Sequence, residues 1–230
     1  MTQAKSLLLA LLLFTFSSRL HARAQTDQLL PEIDVYYKMK SDVRIWFQAK
    51  ETREGGDPVS AEIGPSLDLY SKPWLRLNHV TAFDLDDSKK RLNVLSIGYR
   101  ILTSPNADVE NRLEPVVTLN LPAKDKLLFS DRNRADLDWK SGRFSWRYRN
   151  RVSVERALQI RSYHPTAFAS AETFYDSQYG KLSDTAIYIG CLFPIGKHFE
   201  FSPYYEHQNN TGKKPNQQLN QLGLVLKGYF

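Results

Sequence analysis

The stretch QLNQLGLVLKGYF, residues 218–230, decides the fold class. Counting back from Phe230, every second position is apolar or glycine, and the positions between them are more polar. A β-strand directs successive side chains to opposite faces, so this pattern predicts a strand with one apolar and one mixed face. The apolar face would carry Leu222, Leu224, Leu226, Gly228 and Phe230, and the mixed face Gln221, Gly223, Val225, Lys227 and Tyr229.

Such a strand resembles the closing strand of bacterial outer-membrane β-barrels, which ends in Phe after alternating apolar residues. Gly228 departs from that pattern, because an aromatic residue is common there. The alternative is an edge strand of a soluble β-sandwich. In the barrel hypothesis, the signal for the barrel-assembly machinery would be Leu222, Leu224, Leu226, Tyr229 and Phe230.

The amino terminus favours the barrel. A basic residue, Lys5, precedes the apolar run Leu7–Phe16, and Ala22-Arg23-Ala24 follows. This order is typical of a secretory signal peptide, predicted here as residues 1–24 and cleaved after Ala24. A membrane anchor is the alternative, but it needs about 20 apolar residues, twice the length of this run.

Cleavage would leave 206 residues, enough for one domain. The whole chain has a net charge of +6, whereas the mature chain would have 28 basic and 25 acidic residues, or +3. A balance this small gives no support to nucleic-acid binding, which needs a clustered basic face. Cys191 is the single cysteine and is predicted to be a free, buried thiol.

Alternating segments recur along the mature chain, separated by turn residues such as Gly55-Gly56 and Ser141-Gly142. They predict an all-β, closed antiparallel up-and-down transmembrane barrel of about 12 strands of ~10 residues each. Residues 25–31 would form a short lead and 32–230 the barrel. The segments lie near 33–40, 43–50, 61–69, 75–83, 95–101, 113–121, 127–139, 143–155, 165–175, 182–193, 197–208 and 218–230.

Charged side chains alternate with apolar ones on several of these strands. A charge facing mid-membrane lipid costs ~2–4 kcal/mol on a barrel, so these side chains are predicted to line the lumen. They could plug it through ion pairs or form a selective small-solute channel, and plugging is favoured because small barrels fill their interior. The predicted lumen cluster is Arg112, Glu114, Arg132, Arg134, Asp136, Asp138, Arg147, Arg149, Arg151, Glu155 and Glu172.

Catalytic motifs are absent from the sequence, and neither a cofactor nor a metal site is predicted. His79-Val80-Thr81 and His164-Pro165-Thr166 are similar to the His-x-Ser of outer-membrane phospholipases, but Thr replaces the nucleophile. We therefore predict that the protein is not an enzyme and keep a lipid-modifying barrel as a third hypothesis.

The mature chain also resembles, over most of residues 32–230, a bacterial family of uncharacterised outer-membrane β-barrels. The resemblance rests on Glu110-Asn111-Arg112-Leu113, the Tyr-Arg-x-Arg strand Trp146–Arg151, Glu172 and Tyr229-Phe230. It implies the fold, an outer-membrane location and contact with outer-membrane lipid, and it brings no activity or ligand. A soluble periplasmic or secreted β-sandwich or ligand-binding barrel remains the main alternative.

Overall fold

The structure is a computed structural model that describes residues 25–71, 85–212 and 216–230. The predicted signal peptide, residues 1–24, lies outside the described residues. So do the predicted strand near 75–83 and the His79-Val80-Thr81 motif.

The described chain is built from strands, with one short 3-10 helix at Asp87–Lys90. Residues 25–31, predicted as a lead, lie within the first strand. The strands are β1 (Gln25–Lys38), β2 (Val43–Glu54), β3 (Asp57–Tyr70), β4 (Asn93–Thr103), β5 (Glu110–Ala123), β6 (Leu127–Lys140), β7 (Arg143–Ala157), β8 (Thr166–Asp176), β9 (Lys181–Ile195), β10 (Phe199–Asn210) and β11 (Gln217–Tyr229).

These strands close into a barrel in which each pairs with its neighbours in sequence and β1 pairs with β11. The prediction of a closed all-β barrel is confirmed, but the described strands number eleven, and β3 pairs directly with β4. The β1–β11 pair is parallel, with Gln25 opposite Gln218 and Tyr36 opposite Tyr229. An odd number of alternating strands requires one parallel pair at closure, so the prediction of an entirely antiparallel barrel is wrong for the described chain.

Tight turns connect several strands, and their backbone explains the residues found there. Gly55 and Gly56 join β2 to β3 with positive φ angles of 59° and 95°. Ser141 and Gly142 join β6 to β7 with φ angles of 52° and 73°. Two-residue hairpins favour this conformation because its twist matches that of the strands. Short turns lie at both ends of the barrel. The end that contains Gln25 is named the Gln25 end, and the end that contains Phe230 is named the Phe230 end.

The distribution of polarity is inverted relative to a soluble domain. Large apolar side chains are exposed on the outer face of every described strand except β8, for example Ile189 at 61% and Leu222 at 48%. Charged side chains are buried inside, including Arg100 and Asp136 at 0%. The buried apolar cluster is small and is formed by Phe174, Ala186 and Tyr188.

A segment between β3 and β4, residues 85–92, folds into the Phe230 end of the barrel. Asp86 caps the 3-10 helix by accepting a hydrogen bond from the Ser88 amide at 2.9 Å. The Asn120 side-chain amide of β5 donates to the carbonyls of Ser88 and Arg91 at 3.1 and 2.9 Å. Over the described ranges, no helix has the length and apolar character needed to cross a membrane.

Candidate functional site

The inner faces of β6 and β7 carry most of the predicted lumen cluster. Period-two alternation places Arg132, Arg134, Asp136 and Asp138 on one inner face and Arg147, Arg149, Arg151 and Glu155 on the next. Asp136 and Asp138 are buried, and so are Arg112 and Glu114 on β5 and Glu172 on β8. The structure therefore brings the eleven predicted residues to the inside of one contiguous sector, β5 to β8.

Like charges face each other across β6 and β7. Arg132 lies opposite Arg151, and Arg134 lies opposite Arg149. Directly opposed cations on one face of a sheet destabilise it unless anions lie between or beside them. Three carboxylates supply that compensation, namely those of Glu114, Asp136 and Glu172.

Glu172 binds two of the arginines. Arg149 donates through Nε and Nη2 to its two carboxylate oxygens at 2.9 and 3.1 Å. Arg151 donates through Nη2 to Oε2 at 2.7 Å, and the Tyr188 hydroxyl donates to the same oxygen at 2.6 Å. The two guanidinium groups also cover the rings of Phe174 and Tyr188, at 4.5 and 4.1 Å from the ring centroids. Charge-assisted and forked hydrogen bonds of this kind hold their partners in a fixed geometry.

Arg134 is held by acids on both sides. Its Nη2 lies 2.7 Å from Glu114 Oε1, and its Nε donates to Asp136. Arg149 Nη1 approaches the other oxygen of Asp136 at 3.8 Å. Asp136 therefore joins the Arg134 and Arg149 pairs into one network.

A second group of charges lies nearer the Gln25 end. Arg112 donates to Asp138 at 2.5 Å and to Glu110 at 2.8 Å. Arg147 pairs with Asp176 at 3.2 Å. These contacts tie β5 to β6 and β7 to β8 on the inner surface.

Sequence analysis missed several inward charges. Arg100 on β4 is fully buried, its Nε donates to Gln48 at 2.9 Å, and it lies 3.6 Å from Glu62 and 3.7 Å from Glu114. Arg100 lies between the apolar Tyr99 and Ile101, and this alternation is the sequence signal that could have identified it as an inward residue. Further inward ion pairs that the predicted cluster left out join Arg44 to Asp68 and Lys227 to Glu200.

Glu155 pairs with a cation that does not come from the wall of the barrel. Lys89, in the inserted segment, lies 2.6 Å from Glu155 Oε2. The same segment binds Lys38 of β1 through Asp87 at 2.6 Å and Arg44 of β2 through Asp86 at 2.6 Å. The segment is thus fastened to β1, β2, β5 and β7 across the Phe230 end.

A cavity of about 320 Å³ remains inside the barrel beside the arginines. Seven cationic and five carboxylate side chains line it, together with aromatic and hydroxyl groups. A smaller cavity of about 140 Å³ lies toward the Gln25 end, and both are lined by Lys50 and Glu62.

The predicted assembly strand places its side chains on both faces. Leu222, Leu226 and Phe230 are exposed on the outside, and Leu224 is half-buried there. Tyr229 instead lies on the inner face, where its ring stacks on Tyr36 at 4.9 Å. A Cβ at Gly228 would lie 3.0 Å from the Phe230 ring, so a larger residue there would require that ring to shift by a few tenths of an ångström.

Among the described residues, the other candidates lie apart from this cluster. His164 lies in the loop before β8, and Thr166 begins that strand with a buried side chain. Cys191 is a half-buried free thiol on β9. Among the described residues, no group of His, Cys, Asp and Glu is arranged to hold a metal ion.

The comparisons with known proteins give a family without an assigned role. Residues 89–219 match the family model described as "Protein of unknown function (DUF2490)". This segment contains β4 to β10 and the eleven predicted lumen residues. Comparison with curated proteins gives no match. Because the match covers 131 of the 230 residues, the chain belongs to the DUF2490 family of proteins of unknown function.

Proposed function

We propose that this protein is a bacterial outer-membrane β-barrel with a lumen closed by ion pairs, in a structural role and without catalytic activity. The observation that carries the proposal is the inverted polarity of the barrel. Apolar side chains are exposed around the outer face, and charged side chains are buried inside. Lipid favours this arrangement, because a closed barrel leaves no backbone group unpaired and places its charges in the lumen.

A soluble β-sandwich or ligand-binding barrel fits this surface poorly. Soluble monomers rarely expose contiguous apolar patches larger than a few hundred Å². Here large apolar side chains are exposed on ten of the eleven described strands. Their interior counterparts are ion-paired charges rather than the apolar core that a soluble domain needs.

Closure of the lumen is supported by the inserted segment. In residues 85–92, Asp87 binds β1, Asp86 binds β2 and Lys89 binds β7. The Asn120 side chain of β5 donates to the carbonyl of Ser88. The arginine network of β5 to β8 lies on the inner wall beside it and narrows the lumen to a cavity of about 320 Å³. A small-solute channel is the second candidate, and the observation that favours it is a pair of interior cavities that both have Lys50 and Glu62 in their lining.

The location is tested by fractionating cells that express the full chain. We expect the protein in the outer-membrane fraction after a high-salt and a carbonate wash. Release into the wash would favour the soluble alternative.

The state of the lumen is tested by recording conductance from purified protein in a planar bilayer. A closed lumen predicts no steady ion current. A stable, step-wise conductance would instead support the channel.

A further inference from the structure

Arg132 differs from the other arginines of the lumen. Within the described part of the chain, it has neither a hydrogen bond nor a carboxylate within 4.0 Å, whereas Arg134, Arg149 and Arg151 each have both. The charges that act on it are the cations of Arg134, Arg151 and Arg149, and in the opposite sense the Glu172 carboxylate. Arg132 lines the cavity of about 320 Å³.

The neighbouring carboxylates are already engaged. Glu172 accepts hydrogen bonds from Arg149, Arg151 and Tyr188, and Asp136 binds Arg134. The four inward arginines Arg132, Arg134, Arg149 and Arg151 are thus adjacent to three carboxylates, and Arg132 is the one of the four that has no carboxylate of the described chain within 4.0 Å. A guanidinium removed from bulk water and left without an anion is costly, and a bound anion would remove that cost.

We propose that the cavity beside Arg132 binds a small oxyanion, that is, a solute with a phosphate or carboxylate group. The guanidinium fork of Arg132 matches two oxygens of such a group, and Arg151 faces it across the strand pair. Ser153 and Ser170 line the same cavity. Ser170 donates to the Ser153 hydroxyl at 2.8 Å, so the Ser153 hydroxyl is the one that can donate to a further oxygen.

The size and the position of the cavity fit a solute rather than a lipid. Its volume of about 320 Å³ lies at the lower end of the range for ligand sites, roughly 300–1,000 Å³. It lies inside the barrel wall, and the inserted segment covers the Phe230 end. Entry from the Gln25 end would pass Lys50 and Glu62, which line both cavities.

Anion binding at this site depends on the geometry of the lumen and does not require the barrel to lie in a membrane. It also requires no current through the barrel, because a cavity closed at one end can bind a solute without conducting it. Binding in detergent can therefore fail or succeed independently of fractionation.

Inorganic phosphate is the test probe, added to the folded full-length protein in detergent at constant ionic strength, with chloride as the replaced anion. Binding is followed by titration calorimetry and by the midpoint of thermal unfolding. We expect saturable binding to the wild type and an affinity for phosphate at least about tenfold weaker in Arg132→Gln. Arg132→Lys, which keeps the charge but loses the fork, should fall between them.

Arg143→Gln is the matched control. It removes the same charge from an exposed residue at the β6–β7 hairpin, and we expect unchanged phosphate affinity. Arg132→Gln breaks no ion pair, so its unfolding midpoint without phosphate should not fall below that of the wild type. The proposal is overturned if the wild type does not bind phosphate, or if Arg132→Gln binds it as tightly as Arg143→Gln does.

Discussion

At the scale of single residues, the lumen is organised by arginines that each bind more than one partner. Arg149 shows this best, because it donates to both oxygens of Glu172, approaches Asp136 and covers the Phe174 ring. Buried ion pairs add little when they are intact, because desolvation offsets most of the attraction. Their loss is costly, since the remaining partner stays charged and buried.

Replacing Arg149 with alanine should therefore destabilise the barrel. We expect a loss of roughly 3 kcal/mol in the free energy of unfolding, at the lower end of the range for a broken buried pair, because Arg151 and Tyr188 still bind Glu172. Denaturant titration of the detergent-solubilised protein, followed by heat-modifiable gel mobility, measures it.

The control for this variant is Arg143→Ala, which removes an exposed arginine from the same strand and should change stability by no more than ~0.5 kcal/mol. If Arg149→Ala were as stable as the wild type but differed from it in conductance, the result would contradict a lumen closed by ion pairs and support an open pore.

At the scale of elements, the inserted segment 85–92 depends on its acidic residues. Burial acts to raise the pKa of Asp86, but the attraction of Arg44 and Lys89 and the hydrogen bond from Ser88 outweigh it. Lys227 on β11 acts in the same direction. The pKa of Asp86 therefore lies well below its ordinary value, and the ionised carboxylate stabilises the docked segment.

The sign of this shift predicts release of the segment in acid. A pKa that is lower in the docked state stabilises docking above the ordinary carboxyl value of about 3.9, and that stabilisation is lost as the pH falls below it. Hydrogen exchange of residues 85–92, corrected for intrinsic rates, should show full protection at pH 6 and progressively less below about pH 4. In Asp86→Asn, protection should be lower at pH 6 and should fall less steeply in acid, because the remaining loss comes from the Asp87 and Glu155 carboxylates that bind Lys38 and Lys89. Equal protection at pH 6 and pH 3 in the wild type would count against this account.

The alternation of side chains made the strands predictable. Ten of the eleven described strands lie where the period-two pattern and the turn residues placed a strand between 43 and 230. The first strand was predicted near 33–40, whereas β1 begins at Gln25 and ends at Lys38. The inner face of β6 and β7 was predictable for the same reason, because Arg147, Arg149 and Arg151 occupy every second position of one strand.

The parts that could not be predicted depend on contacts between distant residues. The parallel closure of β1 on β11 depends on the number of strands, which a local pattern does not fix. The insertion of 85–92 depends on Glu155, Asn120 and Arg44, which lie far away in sequence. The free guanidinium of Arg132 emerges only when every neighbouring carboxylate has been assigned to a partner.

At the scale of the whole molecule, the polarity of the outer surface is the property that distinguishes a membrane barrel from a soluble one. Ile189 is 61% exposed in the middle of β9. Arginine at an exposed position of a soluble protein usually changes stability by no more than ~0.5 kcal/mol. At the middle of a bilayer it costs ~2–4 kcal/mol on a barrel.

Ile189→Arg should therefore destabilise the protein in lipid by about 2–4 kcal/mol and reduce its insertion. Leu182→Arg is the matched control, because Leu182 is equally exposed (62%) but lies at the end of the same strand, near the interface. Its expected cost is at most ~1 kcal/mol. If neither variant changed the free energy of unfolding in vesicles, the result would contradict a lipid-facing surface.

The most direct test of the inverted barrel compares two neighbouring residues of β7 in vesicles. Val152 is exposed on the outer face, and Ser153 lines the inner cavity. In a Cys191→Ser background, a nitroxide label is attached at Val152→Cys or at Ser153→Cys, and its relaxation by oxygen and by a water-soluble nickel complex is measured. We predict that the label at 152 is relaxed by oxygen from the bilayer and shielded from nickel, and that the label at 153 shows less relaxation by oxygen. A label at 152 that the nickel complex relaxes as in open water would contradict the account.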